Sequence, residues 1–239
     1  MQVSTIGLWA SALRVIALAW RPLVVAALFF IVAERLNLYA LNQVMGGGLG
    51  LWNLAAIEAW NILSGLIGSY VLFGLCASAI RAARSEEVGF SALLIGWDAF
   101  LRGLAVSALL TLAIAGGALL LLVPGALAAV TWMLALPIVL DGEGKILESF
   151  SISAKLTRGR RWSIFWAFFA PLALTNVVAL VFLVPQAMQF DPERPETFQL
   201  QPSPVFSALE LATGVFLVVL VAVTYEQSRA RHRAAEADG

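Results

Sequence analysis

The sequence has little charge. Asp, Glu, Lys and Arg make up 13% of its 239 residues, whereas soluble domains carry about 25%. Hydrophobic residues make up 61%, and the mean hydropathy is +0.88. A water-soluble fold has no way to bury this much apolar surface, so lipid is the expected solvent. The formal net charge is zero, so the chain lacks the basic field that attracts nucleic acid.

Cysteine and histidine are nearly absent, since Cys76 and His232 are the single examples of each. One cysteine excludes a disulfide within the chain and a cysteine metal cage. One histidine excludes paired-histidine and cysteine–histidine zinc sites, apart from a mixed site built from distant single residues. No catalytic constellation is visible either, so the sequence predicts no enzyme, no cofactor and no metal site.

Long apolar runs are what the sequence has instead. A membrane helix needs about 20 apolar residues, and on this basis the chain is predicted to be all-α, a polytopic integral membrane protein. Residues 1–239 form a single membrane domain with six transmembrane helices. These spans are expected at about 15–33, 55–80, 103–123, 125–140, 162–184 and 205–225, and interfacial segments are expected at 5–14, 91–102 and 145–158.

The stretch 103–140 decides the number of spans, because it contains no charged residue. One straight helix of this length would measure about 57 Å at 1.5 Å per residue, but the hydrocarbon layer is about 30 Å thick. A hairpin of two spans fits better, with its turn at Pro124-Gly125. Gly116-Gly117 is the alternative break. The short second arm makes the space beneath Pro124 the first place to look for a cavity.

The distribution of basic residues gives an independent test of the hairpin. With six spans, all but two of the 15 lysines and arginines fall on one side, and the exceptions are Arg35 and Arg194. With five spans the split is nearly even. The positive-inside rule favours the first arrangement, which places both termini in the cytoplasm (N-in and C-in). The last residues, after Tyr225, are interpreted as a solvated tail.

Two local features predict how helices meet. Pro171 has no N–H to donate, so the carbonyl of Ala167 needs a partner from a neighbouring helix or a water. Small residues recur at four-residue spacing, as in Ser64 with Gly68 and Gly74 with Ser78. Such pairs let backbones approach closely in lipid.

A basic cluster at Lys155, Arg158, Arg160 and Arg161 is the first candidate site. Juxtamembrane cations of this kind attract anionic lipid headgroups, at about 1 kcal/mol per charge. The alternative is that they only mark the cytoplasmic side.

Polar groups within the spans are the other candidates. Arg35, Glu58 and Glu210 lie near the outer ends of predicted spans and together would line an outer polar cavity. The alternative places each of them in the interface, hydrated or paired, for example Arg35 with Glu58. A midplane site could also form from polar side chains that otherwise bond to backbone or to a neighbouring helix, namely Thr131, Thr175 and Asn176.

The segment 119–165 carries a family resemblance. It runs from an apolar stretch with Pro124-Gly125 to Pro137, the acidic–glycine turn Asp141–Gly144, serines at 149–153 and Leu156-Thr157-Arg158-Gly159. This pattern resembles bacterial six-helix inner-membrane proteins related to the membrane domain of some glycerophosphodiester phosphodiesterases. A Tyr followed by a basic tail, as at Tyr225 and Arg229, is similar too.

The resemblance implies a bacterial inner (cytoplasmic) membrane protein without enzyme activity, because the phosphodiesterase activity belongs to a separate barrel domain. That family has a basic residue just before the Trp-like position, where this chain has Thr131-Trp132, so the resemblance carries no role for such a charge here.

The sequence therefore predicts a non-enzymatic membrane protein that organises or binds membrane partners or lipids. Its expected partners are membrane lipids and a membrane-protein partner or a second copy of the chain, in a larger membrane complex. The alternative function is a transporter or lipid-handling channel that uses the 103–140 hairpin and the outer carboxylates.

Overall fold

The computed structural model describes residues 5–46, 51–120, 122–187 and 204–237, and all regular elements within these ranges are helical. Four helices are long and apolar enough to cross a membrane, or five if a bent pair at the N-terminus counts as one span. The all-α class is confirmed. The helices are α1 (Thr5–Leu18), α2 (Trp20–Gly46), α3 (Leu51–Ala83), α4 (Trp97–Leu120), α5 (Leu122–Trp132), α6 (Ala135–Leu140), α7 (Ile146–Leu156), α8 (Arg161–Ala187) and α9 (Pro204–Ala237), with a 3-10 turn at Phe90–Leu93.

Helices α1 and α2 meet at an angle of 87°. The predicted span 15–33 is therefore not one helix, and the predicted interfacial segment 5–14 extends to Leu18. Pro22 explains the break, because it cannot donate to the carbonyl of Leu18 and its ring crowds that turn. One face of α1 is buried through Leu8, Ala12 and Val15, and it packs against α8 and α9.

Helices α4 and α5 form the expected hairpin, and their closest approach is at two glycines. A Cβ added to Gly117 would lie 2.9 Å from the Cα of Gly125, so only glycine permits this contact. The predicted turn position was wrong by a few residues, since α4 ends at Leu120 and α5 begins at Leu122. Pro124 lies in the first turn of α5, where a missing N–H costs no helical hydrogen bond.

The second arm of the hairpin is divided, although 125–140 was predicted as one span. Helix α5 ends at Trp132 and α6 starts at Ala135. Pro137 is the physical reason, because it cannot donate to the carbonyl of Met133. The side chain of Ser153 stabilises the break: its Oγ donates to the carbonyl of Thr131 at 2.8 Å and accepts from the N–H of Leu134 at 3.2 Å.

Helix α7 occupies most of the predicted interfacial segment 145–158. One of its faces is buried, and the residues on that face are small and polar. Ser149, Ser153 and Thr157 are fully buried and recur every four residues, so they form one face of the helix. This face packs against α5 and α6. The serine-rich helix therefore serves as a polar support for the broken hairpin arm.

The predicted interfacial helix 91–102 is also divided. Its first part is the 3-10 turn, and residues from Trp97 onward already belong to α4. A Cβ on Gly74 of α3 would overlap the carbonyl oxygen of Leu93. Gly74 therefore allows the close backbone approach that the sequence predicted, and the element that approaches α3 is the 3-10 turn.

The core lies at one end of the molecule, where α1 packs against α3, α8 and α9 and where α6 packs against α3 and α9. Tyr225 is fully buried there, and Ser228 is 3% exposed. The predicted solvated tail is therefore wrong for its first part, because α9 continues as a packed helix as far as Ser228, whereas residues 232–237 are exposed as predicted. Away from this end the helices expose large apolar side chains, including Leu28, Ile62, Leu112 and Leu174, as expected for a surface in lipid.

Candidate functional site

The connection between α7 and α8 brings the predicted basic residues together. Lys155 lies in the last turn of α7, and Arg161 is the first residue of α8. Between them Gly159 has φ +79°, a left-handed conformation that glycine adopts without strain. The chain therefore reverses within four residues, so cations from both sides of the turn face the same space.

That space is a cavity of about 960 Å³ between α5, α7 and α8, which we call the basic cavity. This is the size range of ligand-binding pockets in proteins. Lys155, Arg158, Arg160 and Arg161 all line it, so the four residues predicted from the sequence share one site. The opposite wall is apolar and comes from Ala126, Leu127 and Val130 of α5 and from Phe165 of α8.

The basic cavity lies on the α5 arm below Pro124, where the short arm of the hairpin predicted a gap. It is open at its edges, because Leu127 is 51% and Trp162 is 74% exposed. The remaining lining residues are small or hydroxylated, with Ser151, Ala154, Gly159 and Ser163 among them. The basic cavity therefore combines cationic and apolar lining residues and is open to the surroundings.

Arg160 is the cation of the basic cavity whose guanidinium is partly buried. Its Nη1 lies 3.4 Å from the Oγ of Ser228, while its Nε and Nη2 are buried and have no hydrogen-bond partner among the described residues. Burial, and then the neighbouring charge of Arg231, lower the pKa of this guanidinium. A buried cation without a counter-charge is costly, so an anion bound beside it would be stabilised.

The basic cavity contains no compensating carboxylate within the part of the chain that the structure describes. Its lining residues include neither Asp nor Glu, and none of the ion pairs formed by described residues involves its four cations. The first turn of α8 adds backbone N–H groups that a helix start leaves without internal acceptors. Together these features favour a ligand with negatively charged oxygens.

A second polar cluster lies at the same end and joins three elements. Arg84 follows α3 and donates to Asp141 at 2.6 Å and to Glu226 of α9 at 2.5 Å and 2.9 Å. Arg229 of α9 donates to Asp141 at 2.9 Å and pairs with Glu143. We call this cluster, which is completed by Tyr225 and Arg233, the arginine–carboxylate network.

The arginine–carboxylate network is balanced, with three arginines and three carboxylates. The hydroxyl of Tyr225 lies 2.9 Å from Asp141 and 2.8 Å from Glu143. The hydrogen bonds that Arg84 donates to Asp141 and Glu226 raise the pKa of its guanidinium, as expected for a cation that is already neutralised. This network has the chemistry of a structural clamp rather than of a binding site.

Sequence reasoning missed this network. The spacing of Glu226 and Arg229 matches an i,i+3 helical pair, and this was the local signal for an ion pair in the tail. The signal was not used, because the tail was interpreted as solvated. Asp141 and Arg84 meet only through the packing of α3 against α6 and α9.

The outer candidates are not brought to either polar cluster. Arg35, Glu58 and Glu210 are exposed, and none of the ion pairs between described residues joins them. The outer polar cavity stays a prediction.

The candidate midplane residues bond to backbone and to a neighbouring helix, which was the alternative. Thr175 Oγ1 lies 3.0 Å from the carbonyl of Pro171 and 2.7 Å from Thr213 Oγ1 of α9, and Asn176 donates to the carbonyl of Leu172. For Thr131 the bonds are to its backbone carbonyl, which accepts from the Oγ of Ser153 in α7 and from the Oγ1 of Thr157. The side chains of Thr175 and Asn176 therefore act within helices and between them.

The carbonyl freed by Pro171 has the predicted partner. The indole N–H of Trp9 donates to the carbonyl oxygen of Ala167 at 3.0 Å. Since Trp9 belongs to α1 and Ala167 to α8, the neighbouring helix that satisfies this group is the N-terminal one.

No group of three or more His, Cys, Asp or Glu side chains among the described residues is arranged to hold a metal ion. Comparisons with protein-family models, curated proteins and solved structures found no match for this chain.

Proposed function

We propose that this chain is a non-enzymatic integral membrane protein that binds an anionic lipid headgroup in the basic cavity. One observation carries the proposal: Lys155, Arg158, Arg160 and Arg161 line a single cavity whose other wall is apolar. A phospholipid has the same division, with charged phosphate oxygens at one end and hydrocarbon at the other. Cations that only marked the cytoplasmic side would need no shared cavity.

The proposal includes six membrane segments, with both termini in the cytoplasm of a bacterial cell and the chain in its inner membrane. Support for the arrangement comes from the arginine–carboxylate network, which joins the end of α3, the turn after α6 and the last part of α9. These three regions share one side only if 103–140 is a hairpin. They also hold much of the positive charge, as the positive-inside rule expects.

The experiment replaces all four cations of the basic cavity with glutamine and measures lipid retention by native mass spectrometry of the full chain in detergent. Each cation near an anionic lipid is worth about 1 kcal/mol, so we expect retention of phosphatidylglycerol and phosphatidate to fall by more than tenfold. Retention of phosphatidylcholine should not change.

The matched control neutralises Arg14, Arg21, Arg81 and Lys145, four exposed cations outside the basic cavity. This variant should retain anionic lipid like the original chain. Equal loss in both variants would mean that total charge, rather than the cavity, binds the lipid, and unchanged retention in the fourfold variant would refute the proposal.

A further inference from the structure

We propose that the basic cavity selects a phosphomonoester, of the phosphatidate type, over phosphodiester headgroups. This inference rests on the proposed function and names the ligand class within it. A phosphomonoester presents three terminal oxygens and a charge of about −1.5 to −2 at pH 7. A simple phosphodiester presents two such oxygens and a single charge.

The first argument is the excess of positive charge. Four cations line the basic cavity without a carboxylate among the described lining residues. A monoanionic headgroup would leave three of these charges uncompensated, and a zwitterionic headgroup would bring an ammonium group that has no acceptor there. A dianion compensates more of the charge than either, so the electrostatics favour the monoester.

The second argument is the number of donors. Arg158 and Arg161 line the cavity, and each supplies a planar fork that pairs with two oxygens. Lys155 reaches the site from the α7 side of Gly159. Donors from both sides of one turn suit a group with three exposed oxygens better than a group with a second ester link.

The apolar wall favours the lipid form of the phosphomonoester over a soluble one. Ala126, Leu127 and Val130 of α5 line the same cavity as the cations, and Leu127 is half-exposed. A soluble phosphate would leave these apolar side chains in contact with water. An acyl chain would cover them and remove apolar surface from water, which is favourable.

The pH dependence of binding distinguishes the two headgroup classes. The second ionisation of a phosphomonoester has a pKa near 6, so its negative charge increases as the pH rises through 6, while a diester does not titrate there. Binding of the monoester should therefore strengthen between pH 5.5 and 7.5.

The protein groups near the site would give the opposite sign or no change. Arg231 adds a further positive charge beside Arg160. His232, Glu143 and Glu236 line a smaller cavity of about 260 Å³ that shares Lys155. Protonation of any of these three at low pH adds positive charge, which would strengthen anion binding as the pH falls.

The test is a native mass spectrometry titration of the full chain with phosphatidate, phosphatidylglycerol, cardiolipin and phosphatidylcholine of equal acyl chains. At pH 7.5 we expect phosphatidate to bind at least about fivefold more tightly than phosphatidylglycerol, from one added charge. At pH 5.5 this ratio should approach one. His232→Gln should show the same pH dependence.

Arg158→Lys keeps the charge but loses the planar fork, so it should reduce the preference for phosphatidate while some binding of both lipids remains. The charge-matched control Arg81→Lys should keep the preference.

Four outcomes decide the matter. Equal affinity for phosphatidate and phosphatidylglycerol at pH 7.5 would overturn the inference, even if the fourfold variant loses both lipids and the proposed function stands. Tighter binding of cardiolipin would overturn the monoester assignment, and competition by glycerol 3-phosphate at the concentration of the lipid would overturn the lipid source. A preference for phosphatidate that is present at pH 7.5 and disappears at pH 5.5 would support the inference.

Discussion

The basic cavity and the arginine–carboxylate network lie at the same end of the molecule but differ in how their charges are paired. In the network each arginine meets at least one carboxylate, and the side chains of Arg84 and Asp141 are 27% and 12% exposed. In the basic cavity the four cations have no carboxylate partner among the described residues.

This difference in pairing indicates that the arginine–carboxylate network stabilises the fold and that the basic cavity can accept an anionic ligand. A paired network gains nothing from a further ion and loses much when one member is removed, since the remaining charge stays partly buried. An unpaired cluster should show the reverse behaviour, with a small loss on neutralisation and a large gain on anion binding.

Asp141→Asn should have the largest effect on stability. Asp141 accepts from Arg84, Arg229 and Tyr225, so its neutralisation leaves two cations without their shared counter-charge. We expect the free energy of unfolding to fall by roughly 2–4 kcal/mol, measured as a lower midpoint of thermal unfolding in detergent. The control is Asp98→Asn, because the Asp98–Arg102 pair is exposed and such pairs contribute about 0–1 kcal/mol. Equal shifts in the two variants would remove the distinction between network and surface pair.

Trp9→Phe should reduce stability less than Asp141→Asn does, because the hydrogen bond that it removes joins two neutral groups. It removes the N–H that satisfies the carbonyl of Ala167, so we expect a loss of about 1–2 kcal/mol. In a Pro171→Ala background the new N–H of residue 171 can bond to that carbonyl, so the loss from Trp9→Phe should shrink. A double-mutant cycle of thermal stabilities measures this coupling, and additive effects would show that Trp9 acts only by packing.

Arg160→Met should have the smallest effect on the stability of delipidated protein. Unlike substitutions in the arginine–carboxylate network, it should not lower the stability. Replacing a buried cation that lacks a counter-charge relieves a desolvation cost, so the unfolding midpoint should stay unchanged or rise. Stabilisation by added anionic lipid should decrease in the same variant. A large loss of stability without lipid would mean that Arg160 is a structural residue, and the comparison between the two clusters would fail.

Much of the fold could be predicted from local chemistry. The long apolar runs predicted the helices, and the length of 103–140 predicted a hairpin. The lack of an N–H at Pro171 predicted that a neighbour would supply a donor to Ala167. The four cations between 155 and 161 were identified because a basic cluster beside an apolar segment is visible without any tertiary contact.

Other features could not be read from local patterns. Pro22 and Pro137 each break a helix about four residues earlier than their own position, which shifted the predicted bounds. The tail after Tyr225 has the composition of a solvated segment, and residues 232–237 are exposed. Residues 226–229 are packed, because their partners Arg84, Asp141 and Glu143 come from distant parts of the chain.

The sequence by itself determined that the protein is built from apolar helices, because their length and composition allow no other way to satisfy backbone polar groups in lipid. It also determined the four cations, since these lie within seven residues of one another along the chain. Only the tertiary structure decided that the cations share a cavity with residues of α5, and that Arg84, Arg229 and Arg233 are paired with carboxylates. Pairing and burial depend on distances between elements far apart in sequence, and no local pattern contains those distances.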